Sequence, residues 1–425
     1  MIKFHIPTDF IKRSLLSIVF ILLALIGIAQ EFRTISESEL KEKIAGYWIG
    51  QLAGNYIGFP FENLYTEEPI PVFVDRYMNY KDAEQLGLRM NLDDRRGFVS
   101  IMAHAMGGAW SDDDTDIEFV VLHGLEEYGL DINYSEMALL RKKHIRRFIW
   151  SSNATVRDLI DQGYLPPETG SKELNPHWYT IGSQLFNEIW GAVYPGLVSQ
   201  AAEKAEWSAR ITHDDWATHG TVLFVSMYSA AFFEDDIDRI LEIGMEQMPK
   251  NSPYLAAVKD VIKWHGQNDD WKVTRQLIHD KYYNEFEGFE FPYPLGSALI
   301  NGLNGVMALL YGEGDFIKSV GIATTTGYDC DNQAATIGGL LGIMNGASSI
   351  PEKLTLELPS LGKWETPFNN TYINYSRDGL PSYNKISDIV DRIAVISGQA
   401  ILANGGRKEV KGGEVVYYVP YLIGK

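Results

Sequence analysis

Gly46-Tyr47-Trp48-Ile49-Gly50-Gln51-Leu52-Ala53-Gly54-Asn55-Tyr56-Ile57-Gly58 returns to glycine at every fourth residue, and Gly338, Gly342 and Gly346 repeat that spacing late in the chain. Residues four apart share one face of an α-helix, so each stretch predicts a helix with bare backbone along one side. Glycine costs about 1 kcal/mol relative to alanine inside a helix, and several on one face imply that another helix or a ligand comes close. Tight helix-helix packing is the simpler reading of either stripe taken alone. A membrane version fails, because Gln51, Asn55 and Asn345 interrupt the apolarity.

The same period extends outward from these stretches. Ile117, Val120, Val121 and Leu125 follow an i, i+3, i+4, i+8 pattern, and Ile386, Ile389, Val390, Ile393 and Ile396 repeat it near the end. Strand-like alternation is scarce and clearest at Val415 to Leu422 after Gly412-Gly413, which with Ile401 and Leu402 predicts a small sheet or hairpin. Loops are marked at Pro69-Ile70-Pro71, Pro166-Pro167, Asn175-Pro176, Pro292 to Pro294 and Pro381. The expectation is an all-α fold, a single compact bundle of about a dozen helices with a small C-terminal β appendage. One domain spans residues 30–425, of which about 380–425 form a C-terminal extension.

Composition narrows the function. A chain of 425 residues that is 45% hydrophobic can bury a large core, which excludes disorder. A net charge of −19 repels phosphates and anionic lipid, so neither a nucleic acid nor a membrane surface is an expected partner. The lone cysteine, Cys330, excludes an intramolecular disulfide and a cysteine-based zinc site, leaving oxygen and histidine as metal ligands. Lys3, Lys12 and Arg13 precede an apolar run from Leu15 to Ala29, the pattern of a secretory signal peptide spanning residues 1–29. Its removal takes away three basic side chains and Asp9, moving the net charge from −19 to −21. Export to a bacterial periplasm or the medium follows, and no cysteine after the run marks a lipoprotein.

Two acidic clusters carry the chemistry. Trp110-Ser111-Asp112-Asp113-Asp114-Thr115-Asp116 stands just before the apolar run that opens at Ile117. One or two Asp at a helix start are ordinary caps, but a packed group of four repel one another and call for a divalent cation. An EF-hand fails here, since no loop glycine or closing Glu follows. Gly327-Tyr328-Asp329-Cys330-Asp331-Asn332-Gln333 also precedes a helix, and two such starts far apart in sequence can each supply half of an oxygen shell. Solvated capping is the competing reading of the first cluster.

Together these segments resemble the ADP-ribosylglycohydrolase superfamily. The resemblance rests on Gly50 to Glu62, Asp113-Asp114-Thr115, Ile211-Thr212-His213, Tyr311-Gly312-Glu313-Gly314-Asp315-Phe316 and Gly327 to Ala335, in that order. It implies a metal-dependent hydrolase of a glycosidic bond, with Asp112, Asp113 and Asp114 as first-half ligands and Asp329, Asp331 and Asn332 as second-half ligands. The implied cofactor is Mg2+, two ions, with Mn2+ or Ca2+ as substitutes. Asp112 stands where the family usually has Thr, as does Asn332, and a register using Ser111, Asp112 and Asp113 stays open. Glu62 is the implied general acid/base. Gly182, Ser183, Gln184, Asn187 and His213 are the implied substrate-binding residues.

Ile181 to Asn187 contains no Arg where many members place one for ADP-ribose, so hydroxyl groups of a ribose-like glycoside fit better than a diphosphate. Arg157 or Arg210 would restore the missing cation. The expected partner is a small-molecule glycoside or an ADP-ribosylated substrate. The alternatives are a different neutral glycoside or nucleoside, or a non-catalytic relative of the crystallin kind.

Overall fold

Ser36 caps the first long helix, Glu37–Gly58, by accepting the Glu39 N–H at 3.2 Å, with Glu37 and Glu39 in the first turn facing the positive end of the dipole. Pro60 sits in the short 3-10 turn Phe59–Phe61 that follows and leads directly to Glu62. The computed structural model describes residues 31–111, 113–358 and 362–421, without the side chains of Asp114 and Leu358. The predicted leader and Asp112 lie outside the described residues. Helix makes up 59% of the described residues and the sheets among them are small, so the class is all-α.

The two glycine stripes are the two sides of one contact. A Cβ on Gly46 would stand 1.9 Å from the Gly342 carbonyl oxygen, one on Gly50 2.1 Å from that of Gly338, and one on Gly54 2.0 Å from that of Ala334. The order runs backward along the partner, so the Glu37–Gly58 and Cys330–Asn345 helices cross antiparallel, backbone against backbone. The crossing ends at Gly58, whose Cβ would meet Asp331 Cα at 2.4 Å. The end of one helix is thereby pressed onto the start of the other. Gly346 does not belong to this contact: it terminates the second helix at φ +81° beside Glu42.

The helices predicted at Ile117 and Ile386 are Asp113–Tyr128 and Ile386–Ala403. Ile401 and Leu402 lie in the latter, a departure from the predicted hairpin, because Ile393, Ser397, Ala400 and Ile401 continue one buried helical face. The sheet is built instead from both termini. Glu414–Tyr421 pairs with Arg407–Lys411 across Gly412-Gly413 and, on its other side, antiparallel with Glu31–Ser36, Glu31 facing Tyr421.

Candidate functional site

Glu62 is held against the second acidic turn by main-chain bonds. The Asn63 N–H donates to Tyr328 O at 2.9 Å and the Tyr328 N–H to Tyr65 O at 2.8 Å. Gly327 makes the approach possible, with φ +83° and a Cβ position only 1.9 Å from Tyr65 O, which no other residue type tolerates. The Asp329 N–H donates to Asn301 Oδ1 at 3.2 Å, and Gln333 Nε2 donates to the same oxygen at 2.6 Å, so the turn is fixed before its helix starts. Glu62, Asp329 and Asp331 consequently bring carboxylate oxygens within 4.8 Å of one another. Asn55, on the first helix, donates to Asp331 Oδ2 at 3.4 Å.

These groups open onto a cavity of about 520 Å³, whose wall also includes Asp113 and Asn332. Tyr56 pins the strand of chain before Asp113 by donating to Trp110 O at 3.0 Å and accepting the Trp110 N–H at 2.9 Å. The Ser111 hydroxyl accepts the Thr115 N–H in the first turn of the helix at 3.3 Å. Asp116 turns away from the cavity into a buried ion pair with Arg377 at 2.9 Å. Of the four clustered carboxylates, Asp113 therefore faces the pocket and Asp116 the core, while Asp112 and the side chain of Asp114 lie outside the description.

The opposite wall departs from the sequence expectation. Gly182 lines the cavity with Thr180, Ile181 and Leu185, but Ser183, Gln184 and Asn187 do not. They lie on the inner face of the Gly182–Leu185 turn and just beyond it: Ser183 Oγ accepts from Thr221 at 3.0 Å, Gln184 points between Gly220 and Gly302, and Asn187 Nδ2 donates to Ser183 O at 2.6 Å. His213 stands directly behind Gly182, buried, between the hydroxyls of Thr180 and Thr212 at 3.2 and 2.7 Å. Burial pushes its pKa down to about 3, so the imidazole is neutral and supports the wall from within. Cys330 is buried, its thiol donating to Gly58 O at 3.5 Å.

Arg157 and Arg210 do not supply a cation to the cavity. Arg157 pairs with Asp161, and Arg210 with Glu206 and Asp214. The cations in the wall are Arg95 and Arg96, which the sequence reading passed over; the run Asp93-Asp94-Arg95-Arg96-Gly97 was the available signal. Arg95 lies 5.2 Å from the Trp150 ring and 5.5 Å from that of Phe59, and donates to the Tyr375 hydroxyl. Arg96 bonds Asp94 through two nitrogens and reaches Glu62 Oε2 at 3.3 Å. Trp150 and Tyr293, both partly exposed, complete the rim.

A helical scaffold that gathers carboxylates from separate segments around one pocket defines a class of protein whose oxygen donors suit a hard cation. The ADP-ribosylglycohydrolase family model matches residues 36–376, and the chain belongs to that family. Among solved structures, an ADP-ribosylglycohydrolase-related protein complex aligns at 15% identity with a TM-score of 0.49, covering 85% of this chain and 99% of that one. No curated protein matches significantly.

Proposed function

We propose that the protein is a divalent-cation-dependent hydrolase that cleaves a glycosidic bond to a ribose-like ring. The observation that carries this reading is the convergence of Glu62, Asp329 and Asp331 within 4.8 Å at one end of the cavity. The donor set is all hard oxygen, which suits Mg2+ or Mn2+. Asn332 Oδ1 adds to the fit: it is buried in the wall with no hydrogen-bond partner among the described residues, and an amide oxygen is a ligand such cations accept. Asp113, and Asp112 and Asp114 by family resemblance, would complete the shell.

A bound cation would polarise a hydroxyl or water in the pocket. Glu62 is oriented by Asn63 Nδ2, which donates to its Oε1 at 2.9 Å, and by Arg96 on its other oxygen. Held in this way, it is placed to give a proton to the leaving-group atom or to take one from the attacking water as positive charge develops at the anomeric carbon. Arg95 and Arg96 are both engaged with wall residues, which favours a neutral ribose-like glycoside over a diphosphate. Their presence in the wall supports one second reading, an ADP-ribosylated substrate whose phosphates recruit them.

The test titrates Mn2+ and then compares turnover of neutral ribosides with ADP-ribosyl compounds at fixed cation. Mn2+ binding that is lost in Asp331→Ala and weakened in Asp113→Ala, with turnover of ribosides, is the expected result. Turnover of ADP-ribosyl compounds alone would establish the second reading, and unchanged Mn2+ binding in Asp331→Ala would overturn the shared site. We also propose that the enzyme works after export, on the strength of the basic and apolar pattern of residues 1–29. Mass spectrometry of the mature chain should find residues up to about Ala29 removed, and retention of Met1 would refute this.

A further inference from the structure

We infer that Arg96, held by Asp94, is a positioning residue for Glu62, and that this relay raises the affinity of the carboxylate cluster for a divalent cation. The inference rests on the cation-binding reading of the pocket. Arg96 Nε donates to both oxygens of Asp94, at 3.1 and 3.0 Å, and Nη2 donates to Oδ2 at 2.6 Å. A guanidinium is a rigid planar fork, so fixing those two nitrogens fixes the direction of the third. That third nitrogen, Nη1, meets Glu62 Oε2 at 3.3 Å.

The segment that carries Arg96 is itself tied to the backbone around Glu62. The Asn91 N–H donates to Pro60 O at 2.8 Å, and Asn91 Nδ2 donates to Glu62 O at 3.0 Å. Asp94 Oδ1 accepts the Arg96 N–H at 2.9 Å and starts the 3-10 turn Arg95–Phe98. Main chain and side chain of Glu62 are thus gripped from one neighbouring loop. Two effects of Arg96 on a cation oppose each other: its charge repels, while its hydrogen bond keeps a flexible side chain aimed at the cluster. The paired Asp94 carboxylate cancels most of the charge, and both groups are open enough to solvent for the remainder to be screened. Positioning therefore dominates, as it does for the groups that orient metal-bound carboxylates generally.

Binding of Mn2+ to the full chain, followed by electron paramagnetic resonance, distinguishes the two effects by sign. Arg96→Ala should bind about tenfold more weakly than the unaltered protein. Arg96→Lys, which keeps the charge but loses the fork, should not recover the loss. Asp94→Asn, which retains an oxygen for the turn, should weaken binding as well. Equal or tighter binding in Arg96→Ala, or full recovery in Arg96→Lys, would overturn the relay while leaving the cation site intact. Failure of the unaltered protein to bind Mn2+ would instead overturn the cation reading and the relay with it.

Discussion

Replacing Gly50 by alanine places a methyl group where the structure has room for none. The new Cβ would lie 2.1 Å from Gly338 O, 2.6 Å from Gly338 C and 3.1 Å from Gly339 N, all backbone atoms with no rotamer to yield. Ordinary contact requires the helices to part by roughly 1 Å, against a neighbouring glycine contact on either side that is equally close. Overpacking of a core costs about 1–3 kcal/mol and more where nothing can move, and the better helix propensity of alanine returns about 1 kcal/mol. The net expectation is a loss of about 2 kcal/mol or more, read as a lower midpoint of thermal unfolding by circular dichroism. Gly266→Ala is the control, with φ −66° and its nearest atoms at 3.7 Å, where alanine should be neutral or stabilise by about 0.4–1 kcal/mol. Because the crossing ends at Gly58 and Asp331, Gly50→Ala should also weaken Mn2+ binding. A melting midpoint for Gly50→Ala equal to that of the control would refute the backbone-on-backbone account.

Further expectations concern buried charge. Glu118 and Glu188 lie together in the core, bonded by Tyr47 and the Ile189 N–H and by Tyr228 respectively, and burial pushes the Glu188 carboxyl up to about 7. The folded state keeps a proton that the unfolded chain loses near 4.5, so this stability is complete below pH 4.5 and lost as pH rises through about 7. Glu188→Gln should therefore be more stable than the unaltered protein at pH 8 and little different at pH 5, by denaturant midpoint; parallel curves would argue against it. His213 has the opposite dependence: its pKa falls from 6.5 to about 3, so its contribution is present above pH 6.5 and fades as pH drops toward 3. The acid limb of the stability profile should flatten in His213→Gln, and an unchanged limb would count against a neutral buried imidazole. Asp116→Asn leaves Arg377 charged and buried without its carboxylate, a loss of about 3–5 kcal/mol expected in unfolding experiments.

Local regularities were open to reading before any coordinates. Period-3.6 apolar patterns give the helical class, since a helix face repeats along the chain whatever it packs against. The acidic turns around Asp113 and Asp329 were visible for the same reason, each being a run of neighbours at a helix start. The positions that sequence reading misplaced depend on orientation. Ser183, Gln184 and Asn187 sit at or next to a four-residue helical turn, too short for periodicity to say which side faces the pocket, and packing against Thr221, Gly220 and Gly302 turned them inward. Arg95 and Arg96 occupy a 3-10 turn too short for periodicity, where the charged run Asp93 to Arg96 is a local signal that does not say which way the side chains face.

The sequence by itself determined that two glycine-striped helices and two acidic helix starts exist. Tertiary structure alone decided that the stripes meet each other, that they run antiparallel, and that Glu62 therefore joins Asp329 and Asp331 rather than standing apart from them. The physical reason lies in the contact: a bare helix face is a local property of one segment, whereas its partner and direction are properties of two segments more than 270 residues apart, settled by which backbones can close to van der Waals distance.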